Sequence, residues 1–164
     1  MNERSHDADV PVTALQTLCG ALFRLHDYWF IVDALRVKEI IRTSTVRWSA
    51  GFPPFVAGIM TCRGVDLPVL NLRVRLGLPE GGASRILLLT MPGATLGILV
   101  DEVAELLSLP VADIRPPPSF LPPGIAPFLI GVASVRGESI MLLDIDRLIS
   151  SEDELPLVAL RGGA

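Results

Sequence analysis

Gly58-Ile59-Met60-Thr61-Cys62-Arg63-Gly64-Val65-Asp66-Leu67-Pro68-Val69-Leu70-Asn71-Leu72 decides how the chain is read. It predicts an apolar strand, a tight Arg-Gly turn, a second apolar strand, and an Asn able to start a helix. The pattern returns as Gly131-Val132-Ala133-Ser134-Val135-Arg136-Gly137-Glu138-Ser139-Ile140-Met141-Leu142-Leu143-Asp144-Ile145. The offset is constant at 73 residues (131 − 58, 136 − 63, 144 − 71). A unit repeated half a chain apart predicts two similar lobes, and two copies are too few for a solenoid.

Outward from these copies the repeat lengthens. Leu18 to Leu25 and Tyr28 to Val32 are apolar runs joined by His26-Asp27, a predicted hairpin. Arg85 to Thr90 and Thr95 to Val100, joined by Met91 to Ala94, predict a second one. Asp33 to Arg42 alternates as a half-exposed strand would, and Asp101 to Leu109 resembles it, with Glu39-Ile40-Ile41 matching Glu105-Leu106-Leu107. Pro54 to Ala57 predicts one helical turn with Pro at its start. Pro68 demotes its strand toward an edge or an irregularity. Asn71 and Gly77 bracket a short helix over Leu72 to Leu76, and Asp144 caps another to about Ile149.

The Gly-rich link from Pro79 to Ser84 is the expected division. Lobe one spans about 18–78 and lobe two about 85–150, with tails at 1–17 and 152–164. Ser151-Glu152-Asp153-Glu154 offers a capping box. Each lobe has about five short strands. Five strands cannot hide both faces of a flat sheet, so the expected class is all-β, each lobe a small closed barrel with short helices.

Composition narrows the functions. The chain has 164 residues, half of them hydrophobic, with a net charge of −4 and a single lysine, Lys38. A sizeable core is expected, and no basic block supports a phosphate-tracking nucleic-acid surface. Cys19 and Cys62 lie far apart without metal-ligand spacing, so two buried thiols of a reduced cytoplasmic protein are expected. The polar start, Met1 to Val10, does not read as a signal peptide. Pro116 to Val135 is uncharged, but its six prolines make it a crossover loop running into a strand and not a membrane helix.

Chemistry-bearing residues are sparse. His6 and His26 lack partners at ligand spacing, so no metal site is expected. No serine has nucleophile-elbow context, and no glycine-rich phosphate loop occurs. Arg63 and Arg136 sit in the turns, and Glu39 and Glu105 on strands that should pass close by. One carboxylate–guanidinium pair per lobe is therefore expected, Glu39 with Arg63 and Glu105 with Arg136. Gly58 and Gly131 answer either a turn or bulge requirement or the close approach of a partner helix. Val37, Ile40, Ile41, Ile59 and Met60 divide between core and an exposed patch that the pattern alone does not resolve. Trp29 reads as core, and Trp48 as either loop or interface anchor.

The order, spacing and duplication of Val37-Lys38-Glu39-Ile40, of Gly58 through Arg63-Gly64 to Leu72, of Ile114-Arg115-Pro116 and of Gly131 through Ile145 resemble the CheW-like domain of bacterial chemotaxis coupling proteins, over about 18–151. The resemblance implies two intertwined five-stranded SH3-like barrels around a shared core. It implies a non-enzymatic cytoplasmic adaptor at receptor arrays, with no cofactor and no membrane insertion. Its partners would be a chemoreceptor's cytoplasmic tip and the regulatory domain of a CheA-type histidine kinase. The binding positions it implies are Val37, Glu39, Gly58, Arg63 and Gly64. Thr61-Cys62 stands where the family usually has Asn-Leu, and Asn71 where it often has Asp. The alternatives are a pilus-motility or other chemosensory-like pathway, or a small-barrel module for another partner such as RNA, which the acidic balance disfavours.

Overall fold

The computed structural model describes residues 16–43, 46–47 and 51–149. The expectations for most of the N-terminal tail, for Trp48, for the 151–154 capping box and for the C-terminal tail lie outside those residues.

The first half of the chain gives β1 (Thr17–Leu25), β2 (Tyr28–Asp33), a 3-10 turn (Ala34–Arg36), β3 (Val37–Arg42), β4 (Val56–Cys62), β5 (Val65–Asn71) and α1 (Leu72–Leu76). The second half gives β6 (Arg85–Met91), β7 (Ala94–Val100), β8 (Glu102–Pro110), β9 (Leu129–Val135), β10 (Glu138–Leu143) and α2 (Ile145–Leu148). Short 3-10 turns lie at Val111–Asp113 and Ala126–Phe128, ahead of β9. Both helices start as expected. The Asn71 side chain accepts from the Arg73 and Val74 N–H groups, and the Asp144 side chain from the Asp146 N–H.

The strands form two five-stranded sheets, ordered β8-β1-β2-β10-β9 and β3-β6-β7-β5-β4. These are not the two halves of the chain. The sequential division into 18–78 and 85–150 is corrected: the first hairpin joins the last three strands in a terminal barrel. The second hairpin, β6–β7, joins β3, β4 and β5 in a central barrel. Thus β1 pairs with β8, Leu22 opposite Glu105, and β3 pairs with β6, Ile41 opposite Ile86. The period-2 pattern fixes which face of a strand is buried, whereas partner choice depends on contacts distant in sequence.

The core spans the two barrels. The largest apolar cluster draws on both barrels. It joins Phe23, Phe30, Met141 and Leu148 of the terminal barrel to Val56, Leu70, Leu87 and Ile98 of the central one. Phe23 and Phe30 stack within it at 5.5 Å between centroids. The barrel interiors are smaller: Leu22, Ile31, Leu109, Ala133, Ile140 and Leu142 in one, and Met60, Leu67, Val69, Ile86 and Leu88 in the other. Most of the apolar driving force therefore joins the two units to each other.

Three local expectations change. Ala34–Arg36, read as part of a strand, is a 3-10 turn capped by the Asp33 side chain, so that β3 begins only at Val37. Pro54 to Ala57 is not helical: the Val56 N–H donates to the Pro53 carbonyl at 2.9 Å and β4 begins at Val56. Phe55 and Val56 are both buried, and the Phe55 carbonyl accepts from the Asn71 N–H, which holds this segment beside β5. Pro68 lies on a strand flanked on both sides, but the ladder to β7 starts only at Val69, so its missing N–H interrupts nothing there.

Candidate functional site: the barrel seams

Each sheet curls until its outer strands meet. In the central barrel Arg47, downstream of β3, exchanges two backbone hydrogen bonds with Ile59 of β4, both 2.8 Å. In the terminal barrel Arg115, downstream of β8, exchanges two with Val132 of β9, again 2.8 Å. Each is an isolated bridge that ties the two ends of its sheet together at one point.

The glycines ahead of the turns belong to that closure. A Cβ on Gly58 would stand 2.4 Å from the Arg47 carbonyl oxygen, and one on Gly131 2.6 Å from that of Arg115. Between the two readings open in the sequence, the structure gives these glycines a place in the fold: two backbones meet where a side chain would stand.

The Arg-Gly turns are two-residue hairpin loops with both central residues left-handed, φ 52° and 80° at Arg63-Gly64 and the same at Arg136-Gly137. This is the mirror-type turn that matches strand twist. Gly takes it freely, whereas Arg holds it at a cost of about 1–2 kcal/mol. The expected ion pairs are present at both seams. Arg63 Nη2 donates to Glu39 Oε1 at 2.9 Å, with the arginine side chain 74% exposed and the glutamate 28%. Arg136 Nη1 lies 3.5 Å from Glu105 Oε1. Each pair ties a turn on one side of the seam to the strand on the other.

Four of the five implied binding positions thus gather at the central seam: Glu39 and Arg63 in contact, Gly64 completing the turn, and Gly58 at the bridge. Val37 heads the same strand as Glu39 and packs, half-buried, on the shared core, which sets the seam beside the junction of the barrels. Of the aliphatics left unassigned, Met60 is buried, Ile41 and Ile59 half-buried, and Ile40 exposed, along with Val65 next to Gly64. Trp29 packs on the terminal-barrel interior. Cys62 is half-buried but Cys19 is exposed, a correction to the expectation of two buried thiols. Cys19 lies near the start of β1, before the run from Gly20 to Phe23 turns fully inward.

A second network at the central seam was not anticipated. Arg47 Nη2 donates to Thr61 Oγ1 at 3.1 Å and to Asp66 Oδ1 at 3.2 Å, and the Thr61 hydroxyl donates to the same Asp66 oxygen. The Thr61 hydroxyl first, and Arg47 second, hold the Asp66 carboxyl below its ordinary value. A two-residue turn places positions 61 and 66 opposite each other, so the Thr–Asp pair was legible from the hairpin. The third member was not, because Arg47 arrives from across the seam. Among the described residues no group of three His, Cys, Asp or Glu side chains could hold a metal, and no helix is long and apolar enough to cross a membrane.

Comparison with known proteins bears on this geometry. The protein-family model described as the CheW-like domain matches residues 20–153. The chain is 32% identical over 135 residues to the chemotaxis protein CheW of Klebsiella aerogenes, covering 80% of this chain and 81% of that protein. It is equally 32% identical over 134 residues to protein FrzA of Myxococcus xanthus, covering 79% and 83%. The crystal structure of the scaffolding protein TtCheW from Thermoanaerobacter tengcongensis superposes with a TM-score of 0.75 at 25% identity, over 84% of this chain and 96% of that one.

Proposed function

The chain belongs to the CheW-like domain family, and from that premise we propose that it is a chemotaxis adaptor that joins a chemoreceptor's cytoplasmic tip to the regulatory domain of a CheA-type histidine kinase. The observation that carries this reading is the central seam. Arg63 is mostly exposed, yet its backbone is fixed by a two-residue turn and its head group by Glu39. A guanidinium held this way meets a partner without the ordering cost of a free side chain.

The mode of action is simultaneous binding. The chain holds receptor and kinase in one relative geometry, so a change in receptor state reaches the kinase as a coupling free energy between two sites. The shared core suits this role because the barrels cannot reorient without exposing Phe23, Leu87 and their neighbours. Val37, Glu39, Gly58, Arg63 and Gly64 are the proposed recognition surface, Gly58 acting through the closure it permits. No step requires a cofactor or bond making, and the site of action is the cytoplasmic face of receptor arrays.

The test is co-precipitation with a receptor cytoplasmic fragment and, separately, with the kinase regulatory domain. Retention of both is expected. Retention of neither, with turnover of a substrate or retention of nucleic acid in their place, overturns the assignment.

A further inference from the structure

Going beyond the adaptor reading, we infer that two charge clasps of opposite polarity specify the exchange of hairpins between the halves of this chain. Arg73 and Asp146 hold the same place in the repeat, the second residue of α1 and of α2, 73 residues apart (146 − 73). Their charges are opposite, and so are those of their partners. Arg73 Nη2 donates to Asp101 Oδ2 at 2.6 Å, at the crossover from β7 to β8. Asp146 Oδ1 accepts from Arg36 Nη2 at 2.8 Å, at the crossover from β2 to β3.

Each clasp also grips the hairpin of the other barrel. Asp101 Oδ2 accepts from the His26 N–H at 2.9 Å and lies 3.5 Å from Arg24 Nη1, both on the β1–β2 hairpin. Arg36 Nε donates to the Thr90 carbonyl at 2.8 Å and Nη2 approaches Met91 Sδ at 3.3 Å, both on the β6–β7 hairpin. Crossover, helix and foreign hairpin are therefore pinned at one point, twice.

The polarity matters because a duplicated chain has a competing fold, in which each half closes its own barrel. There α1 would take the place of α2 beside the β2–β3 crossover, setting Arg73 against Arg36. Likewise α2 would take the place of α1, setting Asp146 against Asp101. Asp146 would then face Asp101, whose side chain is only 8% exposed, and Arg73 would face Arg36, beside which Asp33 already stands as a partial counter-charge. The observed exchange gives two attractions, and the alternative gives one full repulsion, at the buried Asp101, and one that Asp33 softens. Had both helices carried the same sign at this position, with both crossovers carrying the opposite sign, the two folds would have equal charge matching.

Thiol crosslinking reads which fold forms. Cys19 lies opposite Ser108 in the observed β1–β8 pairing. In the unexchanged fold β3 would replace β8, and since Glu105 corresponds to Glu39, position 108 corresponds to position 42 (108 − 66, with 66 = 105 − 39). In a Cys62→Ser background, Ser108→Cys reports the exchanged fold and Arg42→Cys the unexchanged one. The informative change is Arg36→Asp with Asp146→Arg, which keeps opposite charges at both clasps in the exchanged fold and creates them in the unexchanged one. After dilute refolding and treatment with a short thiol crosslinker, the parent chain should give the 19–108 product alone. The charge-exchanged chain should place up to about a tenth of its molecules in the 19–42 product, the upper end of a minor populated state. Arg36→Gln with Asp146→Asn, which merely removes the repulsion, should give a smaller but detectable share and decides the matter if the first variant does not fold. A 19–108 product at the parent level, with no 19–42 product in either folded variant, overturns the inference.

Discussion

The central and terminal barrels share a closure and differ in what decorates it. Both seams have a glycine under a crossing backbone, a left-handed Arg-Gly turn and a glutamate facing the arginine. Arg47 and Arg115 occupy matching places, but the central seam sets Thr61 and Asp66 against its arginine where the terminal one has Ser134 and Ser139. The Glu–Arg contact is 2.9 Å in the first and 3.5 Å in the second. The chain also takes a longer route to β9 in the terminal barrel, through the prolines between Pro116 and Pro127. Backbone geometry and the Glu–Arg pair are thus what the duplication preserved, and the Thr61–Asp66 pair is what diverged. The proposed recognition surface lies on the side with the tighter Glu–Arg contact.

The largest contrast is expected between the two clasps. Arg73→Met leaves Asp101 buried without its main partner and should cost about 3–5 kcal/mol in denaturant unfolding, the usual penalty for breaking a buried pair. Asp146→Ala, at the more exposed clasp, should cost at most about 1 kcal/mol. Equal losses would mean that burial does not distinguish them. Next come the seam glycines. Gly58→Ala and Gly131→Ala each push a methyl group toward a carbonyl oxygen, and each should lower stability by about 1–3 kcal/mol. An unchanged melt for either one would show that its seam relaxes freely.

Smaller effects belong to the ion pairs. A double-mutant cycle on Glu39 and Arg63 should give a coupling of about 0–1 kcal/mol, no weaker than that of Glu105 and Arg136. A stronger terminal pair would reverse the ranking drawn from the distances. Acid titration gives the smallest contrast. The Asp66 and Asp146 carboxyls are held below their ordinary value, Asp66 chiefly by Thr61 and Asp146 chiefly by Arg36. A carboxyl whose folded pKa is depressed contributes stability above its unfolded value, about 3.9, and loses it as pH falls toward the folded value. Asp66→Asn and Asp146→Asn should therefore each flatten the fall in melting temperature below about pH 4, whereas Ser139→Ala should not alter it. A parallel acid slope in all three variants would remove these carboxyls from the account.

Much of this architecture could be read in the residues, and its limits have physical causes. The hairpins, the helix between Asn71 and Gly77, the seam ion pairs and the small-barrel class follow from local patterns: turn residues, alternation and caps. The exchange of hairpins does not, because Leu22 and Ile41 show which way they face but not which strand lies beside them. The reason for Gly58 stayed hidden for the same cause, since Arg47 reaches it across a closure that only pairing creates. Phe55 and Val56 look like a helical start after two prolines until the shared core draws them into an extended strand. Local chemistry was legible, and long-range partnership was legible only where the repeat supplied it.

The most direct test of the adaptor account is a titration of the receptor cytoplasmic fragment into the parent chain and into Arg63→Ala, with thermal melting of both. The account predicts tight binding by the parent, affinity about tenfold weaker in the variant (~1.4 kcal/mol) and nearly equal melting temperatures. Equal affinity in the two would contradict the claim that the central seam is the recognition surface.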